Sequence, residues 1–583
     1  MPEAIKTNPY GVSDFATLRR SHGYYVDQTW AVPELEKLHF QLFLRPRRFG
    51  KSLLLSILNY YYDVNEAGRF DELFAGTWIH EHPTERRNQY LVMRFDFSKV
   101  DGATLEQYQQ SFESTCMIAL KAFIRKYRTV LDGEVLKMVA ATKTFGAAFD
   151  TLTSNADVLP NKIYILIDEY DNFSNHILTQ LGEDTYASLC HGDGFFKSFF
   201  AKFKAASQAV ERIFITGVSP MTMDDVTSGF NIAENISLRP QFATVCGFTH
   251  ADVRAAMDYF AQAGQFPCDQ EEGFRLVTDW HDHYRFSEDN EAQVINPTLF
   301  LNFLDRCRAA KHFPAELVDE NLHTDYYKLR HLVTTNGRLN GKFAALETLV
   351  ADGGVTARFV QSFQVQTLAH PESFLSLLFY YGMVTIGGAE GRWMKFVIPN
   401  LTMRQFLADF LLHGYRDACQ VNDRSQELAD ALGAMAKTGD WRPPVSLAAD
   451  GIRQLLCARD LLDGEKAVQA ALAALFSVGD AYMVRTEHMA NFGFADLTMV
   501  PDLIRFPHLK FAALIEVKYL KKSEKIPAAA KRKLLAAAKE QLEQYIKDHR
   551  LVREWRLKPR GPVTLIRLCV IFHGEELLIA QEI

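Results

Sequence analysis

The sequence predicts an α/β multidomain chain: a parallel sheet with helices in its N-terminal part, a helical lid and a small winged unit in the middle, and a second α/β domain at the C-terminal end. Three observations predict it. The apolar runs HFQLFL, KIYILI and RIFITG have strand length and lie among helical patterns. A Gly-Lys-Ser sits between the first of them and a helical stretch. Near the end of the chain, a helix, three strands and a helix surround two charges set inside an apolar strand. With 583 residues, 48% of them hydrophobic, the chain can bury more than one core, and length alone suggests roughly three or four domains.

The first element is LFLRPRRFGKSLLL, Leu42 to Leu55. A bare Gly-Lys-Ser is weak, expected roughly 0.3 times by chance in a chain of this size. Arg45 also stands where the usual first glycine of a phosphate-binding loop would be. The context carries the weight: HFQLFL precedes as a strand, and SLLLSILNYYYDV follows with helical apolar spacing and no glycine or proline. At such a junction the helix N-terminus and the loop amides, those of Arg48, Phe49 and Gly50 among them, cradle phosphates. Lys51 reaches the β- and γ-phosphates, and the Ser52 hydroxyl ligates magnesium.

The second element is KIYILIDEYDNF, in which Ile163 to Ile167 are apolar on both faces, as in a buried parallel strand, and stop at Asp168-Glu169. Asp168 is expected to hold magnesium through water, and Glu169 to polarise the attacking water. The third, RIFITGVSP, ends near Thr216, placed to sense the γ-phosphate. The competing reading makes Asp168, Glu169 and Asp171 an ordinary acidic loop.

The segments YGVSDF, YYVDQT, FLRPRRFGKSLLLSIL, ILIDEYD, FITGVSP and LTSGFNIAENISL closely resemble the predicted AAA-ATPase-like family, whose loop characteristically reads Arg-Pro-Arg-Arg-Phe-Gly-Lys-Ser. The resemblance covers about Pro9 to Phe248 and makes Arg45 that family's normal variant. It implies a P-loop NTPase core over 1–247 and an ATP site using Lys51, Ser52 and Asp168.

After Gly247 the pattern turns helical, with HADVRAAMDYFAQAG and INPTLFLNFLDRC, the latter again similar to that family, so a helical lid is expected over 248–345. ESFLSLLFYYGMVTIGGAEGRWMKFVIPN reads as a helix, a strand, a glycine-marked turn and a strand. This suggests a winged-helix-like unit within 346–436, either a DNA reader or a packing module. KTGDWRPPVS, Lys437 to Ser446, is expected to be the linker into a last domain over 447–583.

That domain reads as helix EKAVQAALAALFSVG, strands AYMVRTEH, ADLTMV and FAALIEVKYL, and helix KRKLLAAAKEQLEQYI. Asp496, expected to begin a strand, and Glu516 can chelate magnesium, while Lys518 can orient or help deprotonate a water. Period-two alternation puts Glu516 and Lys518 on one strand face. Glu-x-Lys alone is expected roughly twice by chance, but two charges in so apolar a run are costly unless paired or metal-bound. A structural ion pair on an edge strand is the plain alternative. The order of elements resembles the PD-(D/E)xK nuclease domain, with Glu465, Glu487, Asp496, Glu516, Lys518 and Gln541 matching over roughly 120 residues. Phe494 stands where that family usually has arginine, and the literal Pro501-Asp502 competes with Asp496 but lies in the turn after its strand.

Net charge is −7, yet Lys518 to Arg560 carries 14 Lys/Arg against 5 Asp/Glu, a local +9 that leaves −16 elsewhere. Lys521, Lys522, Lys525, Lys531, Arg532, Lys533 and Lys547 are expected to flank a nucleic-acid track. The eight scattered cysteines show no zinc spacing and read as thiols of a reducing cytosol. No signal core or bilayer-length apolar run is present, so a cytoplasmic protein without membrane contact is expected. A homo-oligomer stays open. The leading reading is an ATP-hydrolysing chain that regulates a magnesium-dependent nuclease acting on DNA, less readily RNA. The rival is a regulatory or nucleic-acid-binding ATPase with a catalytically inactive nuclease fold.

Overall fold

The computed structural model describes residues 5–583 except 191–193, 221–232, 319–333, 336–337, 340, 362, 364–366, 368–369, 420–422, 457–463, 491–492, 525–526 and 547–562. The N-terminal sheet contains β1 (Phe40–Leu44), β2 (Leu91–Asp96), β3 (Ile163–Asp168), β4 (Val210–Gly217) and β5 (Glu234–Asn235), in the order β2-β3-β4-β1-β5. All neighbours pair in parallel. β3 is buried along its whole length, which is why its sequence is apolar on both faces. β2, an edge strand, escapes the sequence reading because Arg94 interrupts its apolar run; that residue is exposed.

The outer layer is aromatic. Helix Phe195–Ala205 repeats phenylalanine three and four residues apart, burying Phe196, Phe199, Phe200 and Phe203. Phe199 meets Phe95 of β2 at 5.4 Å between ring centroids, edge to face. Helices His250–Gln262, Gln270–His281 and Pro297–Ala310 follow the sheet.

Two antiparallel strands of two residues each, β6 (Thr334–Thr335) and β7 (Arg338–Leu339), precede the winged unit. That unit has helix Gly341–Asp352, β8 (Gly354–Arg358), helix Pro371–Tyr380, β9 (Thr385–Glu390) and β10 (Trp393–Val397). Its antiparallel sheet runs β8-β10-β9, so the expected helix and hairpin gain a third strand.

The expected linker over Lys437–Ser446 is mostly helical. Helix Ser425–Thr438 closes on Gly439, and helix Arg442–Leu456 begins three residues later. Pro443 and Pro444 occupy its first turn, where a missing N–H costs nothing. Both helices pack on the C-terminal sheet, and Trp441 Nε1 donates to Glu582 at 3.1 Å.

The C-terminal sheet runs β11 (Tyr482–Ala490), β12 (Gly493–Pro501), β13 (Phe511–Leu520), β14 (Thr564–His573), β15 (Glu576–Glu582). β13 and β14 are parallel and the other pairs antiparallel. A parallel pair needs a crossover, and helix Ala528–Ile546 supplies it, burying Ala538 and Leu542. β14 and β15 lie beyond the strands expected from the sequence, and β12 begins earlier than expected, at Gly493, so Asp496 lies inside it. No helix among the described residues is long and apolar enough to cross a membrane.

Candidate functional site

Two groups of residues come together, one at the carboxyl edge of the N-terminal parallel sheet and one where β12 and β13 meet in the C-terminal sheet. In the first, helix Lys51–Tyr62 starts directly behind β1, and Gly50 is its N-cap at φ +95°, a left-handed conformation that L side chains resist. Lys51 Nζ is buried and donates to the carbonyls of Arg45 at 2.9 Å and Pro46 at 3.0 Å. Burial lowers its pKa, against the opposing pull of Glu169, Asp168 and Asp171.

Arg45 does not face the loop's interior. Its guanidinium donates to the carbonyls of Leu44 (2.9 Å), Ser237 (2.8 Å), Phe242 (2.6 Å) and Val245 (3.3 Å). It lies over the rings of Phe43 and Phe286, 4.4 and 4.3 Å from their centroids. Burial pulls its pKa down to about 9. A side-chain clamp therefore shapes the loop where a glycine turn is usual.

β4 lies between β1 and β3, which brings Thr216 beside Asp168: Thr216 Oγ1 donates to Asp168 Oδ1 at 2.8 Å. Arg94 Nη2 stands 3.8 Å from the other carboxylate oxygen. Asp171 accepts from the amides of Val218 (3.1 Å) and Ser219 (2.9 Å), tying the turn after β3 to the end of β4. This close approach needs Gly217, where an added Cβ would come within 2.5 Å of Asp171 Oδ1. Glu169 is largely buried, and burial raises its pKa against the pull of Lys51.

A cavity of about 460 Å³ opens over the loop, lined by Arg48, Phe49, Gly50, Lys51, Ser52 and Glu169. Asp168 and Thr216 are buried behind it rather than among its lining residues. The ring of Phe49 packs edge-on against Tyr284 at 5.0 Å. The cavity's other walls were not assigned from sequence. Tyr24, Tyr25 and Gln28 come from the N-terminal segment, Phe248 and Thr298 from the lid. Gln28 accepts from the Cys246 amide at 2.9 Å, and Thr298 Oγ1 donates to the Arg48 carbonyl at 2.7 Å. Arg48 (φ +69°), Glu169 (φ +49°) and Cys246 (φ +63°) are left-handed without being glycine, each at a cost of about 1–2 kcal/mol that the surrounding contacts hold in place. YGVSDF and YYVDQT were the available signal, but nothing in their pattern assigns them to a cavity wall.

In the second group, Asp496 Oδ2 accepts from the Val517 amide at 2.8 Å, which fixes it across β12 and β13. Lys518 Nζ donates to Glu516 Oε1 at 2.7 Å and lies 4.0 Å from Glu465. Glu465 Oε2 accepts from the Tyr519 amide at 3.3 Å. Glu516 is 1% exposed, and its Oε2 is buried without a partner. Burial, then the neighbouring Asp496, pushes its pKa up to about 7. For Lys518, burial is outweighed by the bond to Glu516, and its pKa rises.

Among the described residues no three His, Cys, Asp or Glu side chains form a ready metal cluster. The donor set still fits a divalent cation with an incomplete protein shell: two carboxylates, one holding an orphaned buried oxygen, which a cation would satisfy. Asp502 belongs elsewhere. It caps the turn amides of Ile504 and Arg505 and accepts from Arg505 Nε at 2.8 Å, both side chains being 2% exposed. Gln541 lies on helix Ala528–Ile546, whereas the side chains of Glu487 and Phe494 fall outside the described set. Lys522 is paired with Glu575, and Lys525 and Lys547 lie outside the described residues.

The buried carboxylate makes stability pH-dependent. Glu516 has an ordinary value of 4.5 and titrates near 7 when folded, so the folded chain binds the extra proton between those values. Its contribution to stability is present below the lower value and is lost as pH rises through the upper. A cation that needs the ionised carboxylate releases that proton on binding. Scanning fluorimetry with magnesium is expected to give a larger rise in Tm at about pH 8 than at about pH 6, a difference that vanishes in Glu516→Gln. Equal shifts in the unsubstituted protein would exclude Glu516 as the ionising ligand.

Residues 9–227 match the family model described as predicted AAA-ATPase, and residues 463–582 match that of the PD-(D/E)XK nuclease superfamily, in that order along the chain. A protein of Azotobacter chroococcum mcd 1, described as an uncharacterized protein in the vnfD 5' region, is 27% identical over 437 residues, covering 73% of this chain and 74% of that one.

Proposed function

From a chain that joins a predicted AAA-ATPase domain to a PD-(D/E)XK nuclease superfamily domain, we propose an ATPase that regulates magnesium-dependent cleavage of nucleic acid, DNA in preference to RNA. The observation that carries the cleavage reading is Glu516, a buried carboxylate with one oxygen on Lys518 and the other without a partner, beside Asp496. At the N-terminal site Lys51 exchanges its two carbonyls for the β- and γ-phosphates, the Arg48–Gly50 amides cradle them, and Thr216 reports the γ-phosphate to Asp168. Glu169 orients the attacking water. Ser52 with Asp168, and Asp496 with Glu516, would hold magnesium, which supplies Lewis-acid stabilisation of phosphate charge at both sites. Lys518 positions the water that attacks the phosphodiester.

Contacts running from the loop to the nuclease-type domain support regulation. Thr298 bonds Arg48, and its helix packs on helix Gln270–His281, which carries Trp280. Arg505 lies 4.5 Å from the Trp280 ring centroid and donates to the Ala315 carbonyl at 2.5 Å while holding Asp502, directly after β12. Arg505→Lys keeps the charge and loses the fork. In this variant ATP turnover is expected to persist while the effect of ATP on cutting falls by at least about half; an unchanged ATP effect would exclude this route.

The whole reading is tested by incubating the protein with single- and double-stranded DNA and RNA, with and without magnesium and ATP. Products that need magnesium and change in rate with ATP are expected; absence of products in every arm overturns cleavage. Phe494 in the family's arginine position favours the second reading, an ATPase whose C-terminal domain binds without cutting, and binding without products selects it.

A further inference from the structure

A second cavity, of about 410 Å³, lies where the winged unit faces the N-terminal domain, lined by Arg239, Glu288, Asp289, Arg358, Arg392 and Trp393 among others. β10 buries Met394 and Phe396 and turns Trp393 and Lys395 outward, leaving the indole 49% exposed. Trp393 pairs across the sheet with Arg358, so indole and guanidinium share one face. Arg392 precedes Trp393 in the turn from β9, and both arginines are exposed. Arg239 is engaged by Glu234. Arg358 and Arg392 have no ion-pair partner among the described residues.

We infer that this groove takes one strand of nucleic acid, with a base stacked on Trp393 and its flanking phosphates on Arg358 and Arg392. The inference rests on the reading that the chain acts on nucleic acid. Every base offers a π-face once it is unpaired, and a planar guanidinium matches phosphate oxygens. The amide of Gln361, also in the lining, suits a base edge, whereas Asn235 Oδ1 is taken by the amide and hydroxyl of Ser237. Glu288 and Asp289 are also in the lining and bring the groove near neutrality, which suits one base and its two phosphates rather than a long run of backbone. A base still paired in a duplex is not free to stack there.

The test uses the full chain in EDTA, so that binding is read without cutting, and the anisotropy of a fluorescein-labelled single strand of about 20 nucleotides against a blunt duplex of the same sequence. Trp393→Ala is expected to weaken single-strand binding roughly 5- to 150-fold, and Trp393→Phe to restore most of it. Arg358→Ala with Arg392→Ala is expected to lower the magnitude of the log-log salt slope by about 1.4. Unaltered single-strand affinity in Trp393→Ala overturns the inference, as does a duplex loss equal to or greater than the single-strand loss. If the unsubstituted protein binds neither probe, the nucleic-acid reading falls with it. If it binds, and cuts when magnesium is restored, while Trp393→Ala behaves identically, the groove alone is wrong.

Discussion

Lys51→Ala is expected to abolish ATP binding, and Glu169→Gln to keep binding while stopping turnover. Lys51 is the one loop cation whose ammonium is held among loop carbonyls at the floor of the cavity, whereas Arg45 is consumed by four carbonyls and two rings. Removing two charge-assisted bonds to phosphate lowers affinity by on the order of 100-fold or more. Glu169 lies across the same cavity, and its neutral amide can still line the pocket but cannot take charge from a water. Calorimetric titration with ATP, set beside phosphate release, separates the two effects. Equal ATP affinity in Lys51→Ala and the unsubstituted protein would rule out this site.

Asp496→Ala, Glu516→Gln and Lys518→Ala are each expected to reduce cutting by about 1,000-fold or more, since each removes a group proposed to hold the cation or the water. Glu516→Gln carries a second signature. It keeps the shape and removes the group whose ionisation burial opposes, so without metal the fall in stability between about pH 5 and about pH 8 should be lost in the variant, which is also inactive. Asp502→Asn should instead lose stability with the Arg505 pair while cutting continues. A gel assay and a melting curve on the same preparations read both properties. Loss of cutting in Asp502→Asn with retention in Asp496→Ala would move the cation to the turn.

Local chemistry made the strand, loop and helix around Lys51 readable, because each needs a particular residue at a particular spacing. β3 was equally plain, being buried on both faces. What stayed hidden is tertiary. β2 hides behind Arg94, whose exposure follows from an edge position that no local pattern announces. β14 pairs with β13 only through a crossover helix, so neither strand reveals its neighbour. In the C-terminal site, alternation put Glu516 and Lys518 together. The orphaned oxygen and the Val517 amide on Asp496 depend on register between strands. Asp502 shows the reverse case: its letters fit a motif, and only packing reveals that Arg505 already occupies it.

Arg45 also bears on the order in which the protein takes shape. Three of its four carbonyl partners lie 192, 197 and 200 residues further along the chain, at Ser237, Phe242 and Val245, and one of its stacking rings, Phe286, lies further still. A loop shaped by glycine turns can form as soon as its own residues leave the ribosome. This one cannot, because its clamp is synthesised long after it. Contacts of such separation close slowly and late. The nascent chain therefore carries the loop residues through a long interval before β4 and β5, which flank β1, and the acceptors of the clamp have been made, and nucleotide can assist folding only after that segment has emerged.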